Sequence, residues 1–194
     1  HPKPVGADQC NIQFIPHTQP PLVRQPTSRG HVYLPLMPSE IWTIGHSVLP
    51  LEKFVTCLQA HDIAGIADVR RFPGSRRHPH FESRALEASL AATGLHYRHF
   101  PGLGGRRPPR PDSTNLAWRH PSFRGYADYM ETAEFRAAVD KLADLARAER
   151  TAMMCAEGSW ARCHRGLLAD WFRERGWRVW HIEGTNPARE HPGT

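Results

Sequence analysis

A chain of 194 residues is long enough for one domain with a proper core and too short for two large ones. With 40% apolar and 23% charged residues it reads as a soluble globular protein, and no stretch reaches the roughly 20 apolar residues of a membrane span. The formal charge of +6 rests on arginine, since only Lys3, Lys53 and Lys141 are lysines, and arginine suits bidentate recognition of phosphate or carboxylate.

Residues 1–36 are rich in proline (Pro2, Pro4, Pro16, Pro20, Pro21, Pro26, Pro35) and lack apolar periodicity, so this segment is expected to be a disordered extension. Met37 is expected to open the folded part, a single domain over 37–184. Ile41-Trp42-Thr43-Ile44 reads as a strand closed by Gly45-His46-Ser47, and Leu51, Phe54, Val55 and Leu58 then recur at helical spacing after Pro50. Gly65 to Val69 is a second strand, running into the basic loop Arg70 to Arg77. Leu86 and Leu90 mark a short helix that stops at Gly94, and Leu95 to His99 is a third, more polar strand. A long Pro/Gly/Arg loop follows from Pro101 to about Ser122. From Phe123 to Leu145 the apolar spacing predicts a bent or broken helical stretch, with Thr132 as N-cap of its second part. Thr151 to Cys155 is the fourth strand, and Leu167, Leu168, Trp171 and Phe172 belong to the helix after its loop. Gly176 ends that helix, Arg178 to Ile182 is the fifth strand, and 185–194 is expected to be a loose tail. Four unevenly spaced cysteines (Cys10, Cys57, Cys155, Cys163) do not make a disulfide framework, so a reducing, cytoplasmic setting is expected.

Five strands alternating with helices predict a single three-layer α/β domain with a mostly parallel sheet and helices on both faces. Right-handed crossovers then place the loops after the strands on one edge, where ligands of such sheets bind. Those loops carry Gly45-His46-Ser47, Asp68 to Arg77, His99 to Arg110 and Cys155 to Arg165, which hold the chemically rich residues.

Five motifs occur in order: Thr43-Ile44-Gly45-His46-Ser47; Asp68-Val69-Arg70-Arg71-Phe72-Pro73-Gly74-Ser75-Arg76; Leu103-Gly104-Gly105; Gly125 to Met130; and Met154-Cys155-Ala156-Glu157 with Cys163-His164-Arg165. From about Ile41 to Ile182 the chain resembles the domain-of-unknown-function 488 family. The resemblance implies a compact α/β domain and marks motif positions, but it implies no reaction.

The residues suggest chemistry of their own. Cys155, at a strand end before a helix N-terminus and several arginines, is a candidate nucleophile of lowered pKa, or else a buried core cysteine. Its loop is loosely similar to those of rhodanese and the cysteine phosphatases, yet the phosphatase spacing puts Arg where Ala161 stands, with Arg162 one residue late. Zinc held by Cys155, Cys163 and His164, helped by His46 or Glu157, is disfavoured because adjacent residues on a helix point about 100° apart. No metal and no cofactor are therefore expected. Glu157, His46 and His164 are candidate acids or bases. Ser47, Asp68, Arg70, Arg71, Ser75, Arg76, Gly104, Gly105, Cys163 and Arg165 are candidates for binding an anion, with Asp68 also able to form a buried salt bridge, for example to Arg165. Phe72, His78, His80, Phe81, Tyr97 and Phe100 are candidates to stack on bases or to close the core. Tyr126 and Tyr129 are read as packing residues with polar tips. The expected function is an enzyme acting on a phosphate-bearing small molecule or nucleic acid, the rival being a noncatalytic nucleic-acid-binding module. The oligomeric state is left open.

Overall fold

Alternation of side chains along the strands divides the molecule into two cores. The computed structural model describes residues 39–74 and 77–193; the proline-rich segment 1–36, Ser75 and Arg76 lie outside the described residues. Strands β1 (Glu40–Gly45), β2 (Gly65–Asp68), β3 (His96–His99), β4 (Thr151–Cys155), β5 (Arg178–Ile182) and β6 (Arg189–Glu190) form one sheet in the order β3-β2-β4-β1-β5-β6. Neighbours among β1 to β5 pair in parallel, and β6 runs antiparallel to β5. The helices are α1 (Leu51–Gln59), α2 (Ser83–Ala91), α3 (Pro121–Met130), α4 (Ala133–Ala148) and α5 (His164–Arg173).

On β1 and β4, Trp42, Ile44, Ala152 and Met154 point to a core shared with Phe54 and Leu58 of α1 and Leu86 and Leu90 of α2. Ile41, Met153 and Cys155 point the other way, to Tyr126 of α3, Phe135 and Val139 of α4 and Leu168 and Phe172 of α5. A period of two with apolar residues on both faces is what a strand buried between two helical layers requires. The result is the expected three-layer α/β domain.

The strand count is six, not five. Arg189–Glu190, in the segment expected to be a loose tail, pairs with Trp180 and His181. Beyond it His191 is 5% exposed and hydrogen-bonded to His181, so the chain is tied down to this point. Two residues with no apolar pattern give no sequence signal for a strand; the signal was the histidine that follows. The stretch from Phe123 to Leu145 is two helices, and Thr132 caps the second by accepting from the Phe135 N–H at 3.2 Å. Gly176 ends α5 at φ +81, a conformation that glycine adopts without strain.

The order of strands positions the site. From β1 the chain passes through α1 over to β2 on one face, whereas from the adjacent β4 it passes through α5 over to β5 on the other. The exits of β1 and β4 therefore part in opposite directions and leave a crevice at their carboxyl ends, the place where open α/β sheets bind ligands. Gly45 and Cys155 are paired there. The long loop after β3 does not hang free. Asp128 of α3 accepts from the Arg110 N–H, the Ser113 hydroxyl and the Asn115 side-chain amide at 2.6–2.8 Å. Tyr126 and Tyr129 donate their hydroxyls to Leu103 O and Gly102 O, as packing residues with polar tips.

Candidate functional site

The β4–α5 loop folds two cysteines onto one carboxylate. Cys155 ends β4 and Cys163 is the N-cap of α5, with φ −135 and ψ 151. Being extended, Cys163 escapes the helical 100° divergence from His164, and its Sγ reaches His164 Nδ1 at 3.5 Å while accepting from the Arg165 N–H. Cys155 Sγ lies 2.8 Å from Cys163 Sγ. Between chain positions 155 and 163, Glu157 bends back so that Oε2 is 3.0 Å from Cys155 Sγ and 3.3 Å from Cys163 Sγ. His164 donates from Nε2 to Val69 O at 3.0 Å, which fixes the ring and turns Nδ1 to Cys163. Gly105 backs it closely, since a Cβ there would lie 2.9 Å from His164 Nδ1.

Arg165 is the buried centre of this loop, 1% exposed. It donates from Nε to Cys155 Sγ at 2.9 Å, from Nη1 to Thr43 Oγ1 at 3.2 Å, and from Nη2 to Glu157 O and Gly158 O at 2.7 and 3.1 Å. Arg165 thus binds its own loop, and its partner is not Asp68. A line of buried polar groups continues outward. Thr43 Oγ1 meets His181 Nδ1, His181 Nε2 meets His191 Nδ1, and His191 Nε2 meets Asp170 Oδ1, each at 2.8 Å. Trp160 stacks on His181 at 4.3 Å. Sequence reasoning missed Thr43, His181, His191 and Asp170. A histidine facing inward on a buried strand was the available signal for His181.

On the other face Asp68 pairs with Arg70, not with Arg165, at 2.6 Å and also accepts from the Tyr97 hydroxyl at 2.7 Å. Neighbours two apart on the strand end reach each other without crossing the sheet. Arg70 donates to His46 Nε2 at 3.3 Å, while His46 Nδ1 donates to Ser47 O and the ring stacks on Phe81 at 4.1 Å. Both nitrogens of His46 are engaged there, and it does not join the cysteine cluster. Ser47, at φ +47, donates its backbone N–H to Ala156 O at 2.9 Å. Of the anion candidates, Arg71 is half-buried and donates to Arg106 O at 3.0 Å, and a Cβ on Gly104 would press against it at 2.5 Å. Phe81 and Phe100 are core residues, whereas Phe72 is 67% exposed with the Arg71 guanidinium 5.4 Å from its ring. Ser75 and Arg76 fall outside the described residues.

The electrostatics divide the two thiols. The hydrogen bond from Cys155, together with His164 and Arg165, lowers Cys163 to about 5 against the effect of burial. Burial and the neighbouring Cys163 sulfur push Cys155 well above the ordinary thiol value. The sequence assigned the low pKa to Cys155; the hydrogen bond from Cys155 and the adjacent imidazole assign it to Cys163. Burial of Glu157 is outweighed by the hydrogen bonding of its carboxylate, that of the Cys155 thiol first, so its carboxyl lies below the usual range. For His164 burial is outweighed by the Cys163 sulfur, and its pKa rises. His46 is lowered to about 4, chiefly by burial and then by Arg70. Donor atoms of Cys155, Glu157 and Cys163 lie within 4.8 Å of one another, a set able to hold a metal ion.

Fold and site together define an α/β domain with a two-cysteine loop at the crevice between adjacent strands. The chain belongs to the family described as Domain of unknown function DUF488, which matches residues 50–172. Neither a curated protein nor a solved structure matches it. Among the described residues no helix is long and apolar enough to cross a membrane.

Proposed function

We propose that the chain is an enzyme acting on a phosphate-bearing substrate, a nucleotide or nucleic acid, at the carboxyl edge of the sheet. The observation that carries this reading is the meeting of two thiols, a carboxylate and an imidazole in one cluster beside a rim of cations. Gly105 rests on His164, the next residue Arg106 is exposed, and Arg71 bonds to the Arg106 carbonyl while lying over the exposed Phe72 ring. Arg162 adds a further exposed cation on the cysteine loop. Arg70 and Arg165 have their donors committed internally, so the anion falls to Arg71, Arg106 and Arg162, with Phe72 offering a face for a base. Cys163, Cys155 and Glu157 supply the reacting groups.

Incubation with a panel of nucleotides and short oligonucleotides, read by product chromatography, tests the reading. Turnover by the native protein that falls at least about 100-fold in Glu157→Gln supports it. The exposed Phe72 beside Arg71 also favours the noncatalytic nucleic-acid module. Absence of turnover together with oligonucleotide binding that weakens steeply with salt selects that module instead.

A further inference from the structure

The cysteine cluster gathers two sulfurs and a carboxylate oxygen into one place, all within 4.8 Å of one another. Two thiols and a carboxylate face one another across 2.8, 3.0 and 3.3 Å. Among the described residues, Arg165 donates to the Cys155 sulfur and His164 lies against that of Cys163. Around a tetrahedral ion with metal–sulfur bonds of about 2.3 Å and metal–oxygen bonds of about 2.0–2.2 Å, neighbouring donors sit about 3.5–3.8 Å apart. The cluster needs to open by only about 1 Å at its tightest pair to place an ion at its centre.

We propose that Cys155, Glu157 and Cys163 bind one divalent, thiophilic metal ion of the zinc class, leaving one of four positions for an exogenous ligand. Two sulfur donors and one carboxylate favour zinc over magnesium or calcium, which require oxygen ligands. Each donor is held in place from outside. The Cys155 sulfur receives the Arg165 Nε, and the main chain of Glu157 receives the Arg165 Nη2. Cys163 is fixed as a helix cap, with His164 beside it clamped by Val69 O. Fixed outer partners of this kind orient metal ligands and raise affinity. Among the described residues this is the only trio of ligating side chains that converges so closely. The open position would put the ion next to the cationic rim, but the proposal does not depend on any substrate.

The test uses the full chain, reduced and stripped with a chelator, then titrated with zinc and separately with cobalt. Expected are one ion per chain by elemental analysis and a cobalt spectrum with thiolate charge-transfer absorption from two sulfurs. Cys155→Ser and Cys163→Ser should each weaken zinc binding by more than the roughly 10–100-fold that loss of an outer partner costs. Cys57→Ser, on the opposite core, should leave it unchanged. Glu157→Gln, which keeps the size of the side chain and removes only its charge, guards against variants that fail to fold, and should weaken binding while keeping the two-sulfur cobalt spectrum. Failure of the native chain to bind either ion stoichiometrically, a cobalt spectrum without thiolate absorption, or binding undiminished in both serine variants overturns the proposal. None of these readouts needs turnover, so the metal can fail while the enzyme reading stands, and the reverse.

Discussion

Arg165 donates from Nε to Cys155 Sγ across 2.9 Å, and this bond joins the first turn of α5 to the last residue of β4. The same guanidinium reaches Thr43 on β1 and two carbonyls of the loop, so one side chain fastens two strands and the segment between them. Only a planar fork of fixed donors can serve four acceptors in these directions. Arg165→Lys keeps the charge but offers a compact ammonium, leaving at least one buried acceptor unpaired. It is expected to lower unfolding free energy by about 2–3 kcal/mol in urea titration. A loss under about 0.5 kcal/mol would show that the fork is not what holds the loop.

Gly45 sits opposite Cys155 in the β1–β4 pair, and a Cβ on it would collide with Glu157 O and lie 2.8 Å from Arg165 Nη2. Neither neighbour can give way without releasing the other, because Arg165 Nη2 and Glu157 O are bonded to each other. Gly45→Ala is therefore expected to cost at least about 2 kcal/mol, toward the upper end for overpacking. It should also make Cys155 and Cys163 accessible to thiol reagents in the folded protein. If thiol access and thermal midpoint both match the native chain, the close approach is not essential.

The strand–helix alternation was legible because each buried strand carries apolar residues on both faces and each helix a stripe at 3.6-residue spacing. Ile41 to Ile44 and Thr151 to Cys155 show this directly. The cysteine loop was legible as a candidate site because small and polar residues replace the apolar run after Cys155. What was not legible depends on distances across the chain. Asp68 was paired in sequence with Arg165, for example, and only the geometry at the strand end shows Arg70 to be its partner. Cys163 and His164 looked divergent because the cap conformation, extended rather than helical, is set by where α5 begins. His191 lies in a polar tail whose order comes from strand pairing with β5 and from hydrogen bonds to Val179, His181 and Asp170, contacts that periodicity does not encode.

Asp68 and Arg70 are a buried pair, the side chains 0% and 8% exposed, that also orients Tyr97 and His46. Removing one partner strands the other charge in the core. Asp68→Asn is expected to destabilise by about 3–5 kcal/mol, and Asp68→Asn with Arg70→Met by clearly less than the sum of the two single changes. Denaturant unfolding of the native chain, both singles and the double closes the cycle. Strict additivity would show that the pair does not act as a unit.

His181 should make the fold sensitive to acid. Burial holds its pKa down to about 3, and the positive fields of His191, Arg165 and Arg189 act in the same direction. Its ring stacks on Trp160 and bonds Thr43 and His191, and His191 in turn faces Asp170. In the unfolded chain a histidine titrates near 6.5. Between about pH 6.5 and 3 the unfolded state therefore binds a proton that the native state refuses. The stabilisation from a neutral His181 is fully present above about 6.5 and is lost as the pH falls toward 3. One pKa unit corresponds to about 1.4 kcal/mol, so the loss between pH 6.5 and 5 attributable to this residue is about 2 kcal/mol. His46, lowered to about 4, adds a loss of the same sign that His181→Gln leaves in place. Urea titrations at pH 7 and pH 5 should accordingly show a smaller drop for His181→Gln than for the native chain. Equal drops would mean that the His181 ring accepts a proton in the folded protein as readily as in the unfolded one.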